Sequence, residues 1–285
     1  MKLIVFGEIL WDVFGDEKKI GGAPFNFAAH CAQLGMSVDI VSAVGEDELG
    51  KEAISAVKKL GLSTKYIETV DYKTGHCLVT LNNGAPSYNL VENVAYDNIP
   101  VPKNLSFEAD AFYFGTLAQR NAKSKKTLEK LLGGDYKEIF FDINIRQSYY
   151  SKELIDSSLK QSTILKISRE EIGVLGIAGA PEEICDALGS KYKNLKLIIV
   201  TLDADGSFVY DTKSKSILRS PKPTSKVVST VGAGDSFSAC FLSNYLKNVS
   251  LEECLKRATL LSDYVVTKVE AIPGYPEQLR ARITP

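Results

Sequence analysis

The chain has almost no histidine: His30 and His76 are the only two in 285 residues. Its five cysteines, at 31, 77, 185, 240 and 254, are odd in number, scattered and without a CxxC pair. These absences exclude a zinc-type ligand cluster and a disulfide framework, and they fit unpaired thiols in a reducing cytosol. A basic excess is also missing. With 34 Lys and Arg against 35 Asp and Glu, the formal net charge is −1, which argues against a nucleic-acid binder. No apolar run approaches the roughly 20 residues that span a bilayer, so no membrane partner is expected. The opening MKLIVFGEILWDVF has one lysine, is broken by Glu8 and Asp12, and lacks a small-residue cleavage site. It reads as a first strand rather than a signal peptide.

What is present is alternation. Residues 3–7, 38–44, 111–115, 138–144, 162–168 and 195–202 are continuous apolar runs of strand length, as expected where helices cover both faces of a sheet. Residues 24–34, 48–60, 121–132, 151–160 and 181–189 carry helical patterning between them. The series predicts βαβ units in a parallel sheet. Residues 10–20 and 66–95 break the rhythm with short alternating strands, and Asn83-Gly84 is a hairpin-type dipeptide. Two readings stand for these pieces: a small accessory sheet over one end of the body, or an ordinary edge hairpin. With no internal repeat or low-complexity linker, 1–285 reads as one domain.

The stretch STVGAGDSFSACFLSNYL, 229–246, passes abruptly from a glycine turn to an apolar helix. The missing side chains at Gly232 and Gly234 would let an anion approach the free N–H groups of a helix N-terminus. Two uses are open to Asp235: a helix cap, or a base beside an anion site that accepts a proton from an attacking hydroxyl. A second constellation, GGAPFNFAAHCAQLG at 21–35, offers bare backbone at Gly21 and Gly22 and a donor and acceptor at Asn26. A plain glycine loop before a tightly packed helix explains it equally well. Asp12 falls in a short polar gap after the first strand, at the carboxyl end where α/β sheets bind ligands.

Together these two stretches resemble the signatures of the ribokinase-like (PfkB) family of sugar and nucleoside kinases. GGAPFN with Gly35 and Gly45 is similar to the first signature, and STVGAGDSFSACFLS to the second, about 200 residues later. The resemblance extends through VGEDELG (44–50), DINIR (142–146), TLDADGS (201–207) and EAIPGYP (270–276). GEILWDVFG and FGTLAQR are most similar to the bacterial fructokinase branch. The family resemblance implies a doubly wound α/β fold, a mainly parallel sheet with helices on both faces, and a small β-sheet lid.

It also implies roles. Asp235 would be the general base, and the N–H groups of Gly232, Ala233 and Gly234 an anion hole, each such donor contributing about 3 kcal/mol. Asp12, Gly22 and Asn26 would bind sugar hydroxyls. Arg146 would meet phosphates, although an arginine in a βα loop is also an ordinary surface residue. Glu171 would organise Mg²⁺ through water; from pattern alone it reads as a solvated acid at a helix start. Thr201 and Gly206 would bound the loop that receives ATP. His76, Asn89, Gln119 and Arg120 are candidates for choosing the sugar.

Three positions depart from the family pattern. Ser229 replaces an aspartate that in many members helps hold a monovalent cation, and a neutral serine holds K⁺ less strongly. Ser168 replaces the asparagine of an NxxE element, and Asp203 replaces a glycine beside the expected nucleotide. The base, the glycines and the sugar pair remain, so the expected activity is an ATP- and Mg²⁺-dependent kinase of D-fructose. A kinase for ribose, a keto-deoxy sugar acid or a nucleoside is the alternative within the class. A catalytically weak sugar-binding or regulatory homologue is the alternative outside it. An exposed lid edge would favour a homodimer.

Overall fold

Alternate residues of β1 (Lys2–Phe6) serve opposite faces of one sheet: Leu3 and Val5 join one buried cluster, Ile4 and Phe6 the other. A strand buried on both sides must be apolar throughout, which is why the run is continuous. The computed structural model describes every residue except Asp16, Asn83, Gly84 and Leu105. The expected Asn83-Gly84 turn therefore lies outside the described residues.

After β1 come β2 (Leu10–Phe14), β3 (Glu17–Gly21), β4 (Ser37–Gly45), β5 (Ile67–Val70), β6 (Gly75–Asn82) and β7 (Ala85–Leu90). Then follow β8 (Glu108–Gly115), β9 (Asp135–Asp142), β10 (Ile164–Ser168), β11 (Leu197–Thr201), β12 (Ser207–Asp211) and β13 (Ser216–Arg219). The helices are α1 (Ala23–Gln33), α2 (Glu48–Lys59), α3 (Ala122–Leu132) and α4 (Lys152–Gln161). α5 (Pro181–Lys191), α6 (Ala233–Tyr245), α7 (Leu251–Val265) and α8 (Glu277–Ile283) complete them. Polar residues start several of these helices. Asp47, Ser151 and Ser250 each accept from a backbone N–H three residues on, at Gly50, Leu154 and Glu253.

The large sheet runs β13-β12-β11-β10-β9-β8-β1-β4-β5. It is parallel from β5 to β11, with β12 and β13 antiparallel at one edge. Helices α1, α6 and α7 cover the face of Leu3, and α3, α4 and α5 the face of Ile4. This is a doubly wound α/β fold. The chain moves from β1 outward to β4 and β5, then returns to β8 and proceeds the other way. The switch between β1 and β8 leaves a crevice at the carboxyl ends of the strands, the usual ligand position in such sheets.

A second sheet, β3-β2-β6-β7, lies apart from the first. β2 pairs antiparallel with β3 and parallel with β6, and β6 and β7 form a hairpin. The 66–95 stretch is narrower as a lid than its pattern suggested. β5 within it pairs with β4 and closes the edge of the large sheet, because Ile67 has an apolar surface to cover there. Among the described residues, no helix is long and apolar enough to cross a membrane.

Candidate active site

The site begins at the first turn of α6. Gly232 is its N-cap, at φ 81°, a left-handed conformation that favours glycine. A side chain there would also collide with the segment behind it, since a Cβ would lie 2.3 Å from the Ala271 carbonyl oxygen. Asp235 stands three residues inside the helix and does not cap it. Its Oδ2 instead accepts from Asn26 Nδ2 at 2.9 Å, joining α6 to the first turn of α1. Burial pushes the Asp235 carboxyl up to about 6, and the Asn26 hydrogen bond opposes that rise; Asp142 adds to it, and Lys166 and Arg146 oppose it. The result is a carboxylate able to take a proton near neutral pH.

Around this pair the crevice is lined from both sheets. Asp12 is in the middle of β2, opposite Lys19 and Cys77, and so belongs to the small sheet, as the accessory-sheet reading of 10–20 expected, rather than to a polar gap after β1. The alternation Leu10, Trp11, Asp12, Val13 is a strand's, and the pairing partners are distant in sequence. The Asp12 carboxylate lies over the diglycine, with Oδ2 3.4 Å from where a Gly21 Cβ would be. Burial raises its pKa, and Arg146 opposes the rise. Gly22 caps α1 at φ 108° and leaves no room for a side chain, its Cβ position being 2.5 Å from the Glu8 carbonyl.

Three charged groups here escaped pattern reading. Glu8 is 3% exposed, and burial pushes its carboxyl up to about 7. Asp142, at the end of β9, is 1% exposed and pairs with Lys166 of β10 at 3.1 Å. Ser238 and Tyr113 also approach Asp142 Oδ2, at 3.3 and 3.4 Å. Burial works against the Lys166 charge, but Asp142, Glu171 and Asp235 more than offset it and raise its pKa. Lys166 Nζ lies 3.4 Å from where a Gly234 Cβ would be, so a fixed cation sits against the glycine turn. A lysine within the apolar run ILKIS gave the only available signal.

The other expected residues fall along the same rim. Arg146 is exposed after β9, and its charge acts on Glu8, Asp12 and Asp235. Glu171 accepts from Ile145 N at 2.8 Å and Ser168 N at 2.9 Å, while Ser168 Oγ accepts from Glu171 N at 3.3 Å. Ser168 and Glu171 thus hold each other as a capping box. Both Glu171 oxygens retain a lone pair, so the donor set fits a hydrated Mg²⁺ met through water. Among the described residues, no cluster of three or more His, Cys, Asp or Glu could hold an ion directly. Thr201 ends β11, and Gly206, at φ 88°, closes the following loop. Between them Asp203 adopts φ 52°, the conformation a glycine would supply, and it is exposed.

Ser229 accepts from Val231 N at 3.3 Å and donates its own N–H to Val266 O at 3.1 Å. Val227, Val228, Val231 and Val269 are each more than half exposed and make an apolar surface beside the turn. Gln119 faces the body instead, with Nε2 donating to Gly115 O and Ser158 Oγ. Arg120 is held by Asp97 at 2.7 and 2.9 Å and lies over the rings of Tyr96 and Tyr149. His76 Nδ1 is on Thr74 O, and Asn89 is exposed on β7.

Comparison with known proteins gives a consistent picture. The family model described as pfkB family carbohydrate kinase matches residues 2–278. An ATP-dependent 6-phosphofructokinase of Thermoanaerobacterium thermosaccharolyticum is 27% identical over 299 residues, covering 96% of this chain and 91% of that protein. Probable fructokinase-4 of Arabidopsis thaliana is 29% identical over 299 residues, with 96% and 90% covered. The structure of fructokinase with bound ATP from Xylella fastidiosa superposes with a TM-score of 0.86 at 21% identity, covering 99% of this chain and 97% of that one.

Proposed function

Because this chain belongs to the PfkB family of carbohydrate kinases, we propose that it transfers the γ-phosphoryl group of ATP to a hydroxyl of D-fructose. The observation that carries this reading is the Asn26–Asp235 pair beside the Gly232–Gly234 turn. Asp235 takes the proton from the attacking hydroxyl, which is most nucleophilic as that proton departs. The N–H groups of Gly232, Ala233 and Gly234 hold the transferring phosphoryl oxygens, whose charge is matched by the helix N-terminus. Asp12 and Asn26 orient the acceptor, and bare backbone at Gly22 lets the ring approach.

On the donor side, Arg146 meets phosphate oxygens, Thr201 and Gly206 bound the nucleotide loop, and the four exposed valines supply an apolar platform for the base. Mg²⁺ neutralises phosphate charge when bound, with Glu171 as its partner through water. The small sheet over the crevice excludes water from the transfer. Its outer edge suits pairing with a second copy.

The 6-phosphofructokinase relative raises a sugar phosphate as the acceptor. Arg120 argues for an uncharged sugar, because Asp97 already balances its charge. The test is coupled ADP release with ATP and Mg²⁺ over fructose, fructose 6-phosphate, ribose and a nucleoside, for wild type and Asp235→Ala. Fructose-dependent turnover that collapses in the variant supports the proposal. Turnover with another acceptor overturns the choice of fructose alone. No acceptor above the variant's background leaves a sugar-binding homologue as the better reading.

A further inference from the structure

His30 is fully buried on α1, one helical turn beyond Asn26 and so on the same helix face. Both ring nitrogens reach into the segment that follows α7. Nε2 lies 3.0 Å from the Ala271 carbonyl oxygen, and Nδ1 meets the Tyr275 hydroxyl. A carbonyl can only accept, so Nε2 carries the proton, Nδ1 is the acceptor and Tyr275 donates. Burial lowers the His30 pKa to about 4, which keeps the ring neutral in this tautomer.

The same α1 holds the segment again further along. Gln33 Nε2 donates to Pro273 O at 3.3 Å, and Arg280 Nη1 of α8 donates to Gln33 O at 2.6 Å. The Ala271 backbone is the part pressed against Gly232: a Cβ on Gly232 would meet its oxygen, Cα and carbonyl carbon at 2.3, 2.9 and 3.0 Å. One carbonyl oxygen therefore receives the imidazole N–H on one side and backs the glycine turn on the other.

We propose that His30 is a positioning residue for the phosphoryl-receiving turn, acting through the Ala271 carbonyl. The proposal rests on the reading of Gly232–Gly234 as that turn. α1 then sets both halves of the reacting geometry: Asn26 orients the Asp235 carboxylate, and His30 fixes the backbone from which the anion-binding N–H groups project. Neither ring nitrogen touches substrate. Displacing the turn by about 1 Å is enough to cost a large rate factor, because donors aimed at a transition state lose their value quickly off line.

Two substitutions separate positioning from simple packing. In His30→Gln the amide nitrogen falls near the place of Nε2 and can still donate to Ala271. In His30→Asn the shorter side chain reaches only the place of Nδ1. Both lose the ring and should melt at similarly reduced temperatures. With positioning, His30→Asn lowers kcat about ten- to a hundredfold at little change in sugar KM, while His30→Gln stays within about threefold of wild type. Hydrogen exchange read without substrate gives a second measure: peptides covering 229–236 exchange about tenfold faster in His30→Asn only. Equal kcat and equal exchange in the two variants would overturn the proposal. If wild type phosphorylates no acceptor, the kinase reading fails, and the exchange comparison still decides whether His30 holds the turn.

Discussion

Asn26 Nδ2 donates to Asp235 Oδ2 at 2.9 Å, across 209 positions of the chain. The hydrogen bond favours the charged carboxylate and opposes the burial that raises its pKa to about 6. Only the deprotonated form accepts a proton, so kcat/KM should rise with pH through an acid limb near 6 and level off above it. Removing the donor takes away the largest influence that opposes burial, leaving only Lys166 and Arg146, so in Asn26→Ala the limb moves to higher pH. A pH–rate profile of both proteins measures this, and an unmoved limb would assign it to another group.

Glu8 provides a pH test on stability. Its folded pKa, about 7, lies above the ordinary 4.5, so the folded chain holds this proton more tightly than the unfolded one. Its cost to folding therefore sets in as pH rises above about 4.5, where the unfolded chain ionises and the folded one does not, and is complete above 7; as pH falls through that window the stability returns. Glu8→Gln should be more stable than wild type at pH 8, by on the order of 2–3 kcal/mol, and the gap should close toward pH 5. Urea unfolding at the two pH values would show it; a constant gap would mean that Glu8 does not titrate in this range.

Gly232→Ala tests the turn itself. The left-handed φ costs an alanine about 1–2 kcal/mol, and its Cβ would also strike the Ala271 carbonyl. The variant should melt several degrees lower, and its kcat should fall about a hundredfold or more as the N–H groups move. A variant with wild-type kcat would place the phosphoryl group elsewhere.

The buried Lys166–Asp142 pair makes a further prediction. Asp142→Asn leaves the ammonium buried without its contact partner and should cost about 3–5 kcal/mol. Adding Lys166→Met removes the stranded charge and should restore most of that stability, while leaving the glycine turn without its cation and the enzyme slow. Urea unfolding together with kcat separates the two effects. If the double variant is as unstable as the single, the loss comes from packing rather than charge.

Except for the short edge strand β5, the strands of the parallel body were legible because each carries its own signal: an apolar run such as LKLIIVTL needs no distant partner to be recognised. Asp12 was legible as a residue and, through the strand pattern of 10–20, as part of a small sheet, but its partner was not, since the pairing with Cys77 lies far along the chain. β13 is four residues long and mostly exposed, and β12, though buried, carries only Phe208, Val209 and Tyr210 as an apolar run, so neither shows the longer run that marked the others. The helix α7 was also missed, although Ser250 with Glu253 three residues later is a start signal visible in one dimension. Asp142 and Lys166 were hidden for a different reason. Each sits in a run that reads as core, and only the register of β9 against β10 makes them partners.

The two acidic groups assigned to the acceptor sugar belong to different pieces of the molecule. Asp12 travels with the small sheet, whereas Asp235 is built into α6 against the large one. The connections between the pieces beside them run through Gly7 at φ 149° and Gly22 at φ 108°. Their separation is therefore not a property of either sheet alone but of the angle between them. Under the proposed reading, a sugar that bridged both carboxylates would report on that angle, and recognition of the acceptor and assembly of the site would become one event.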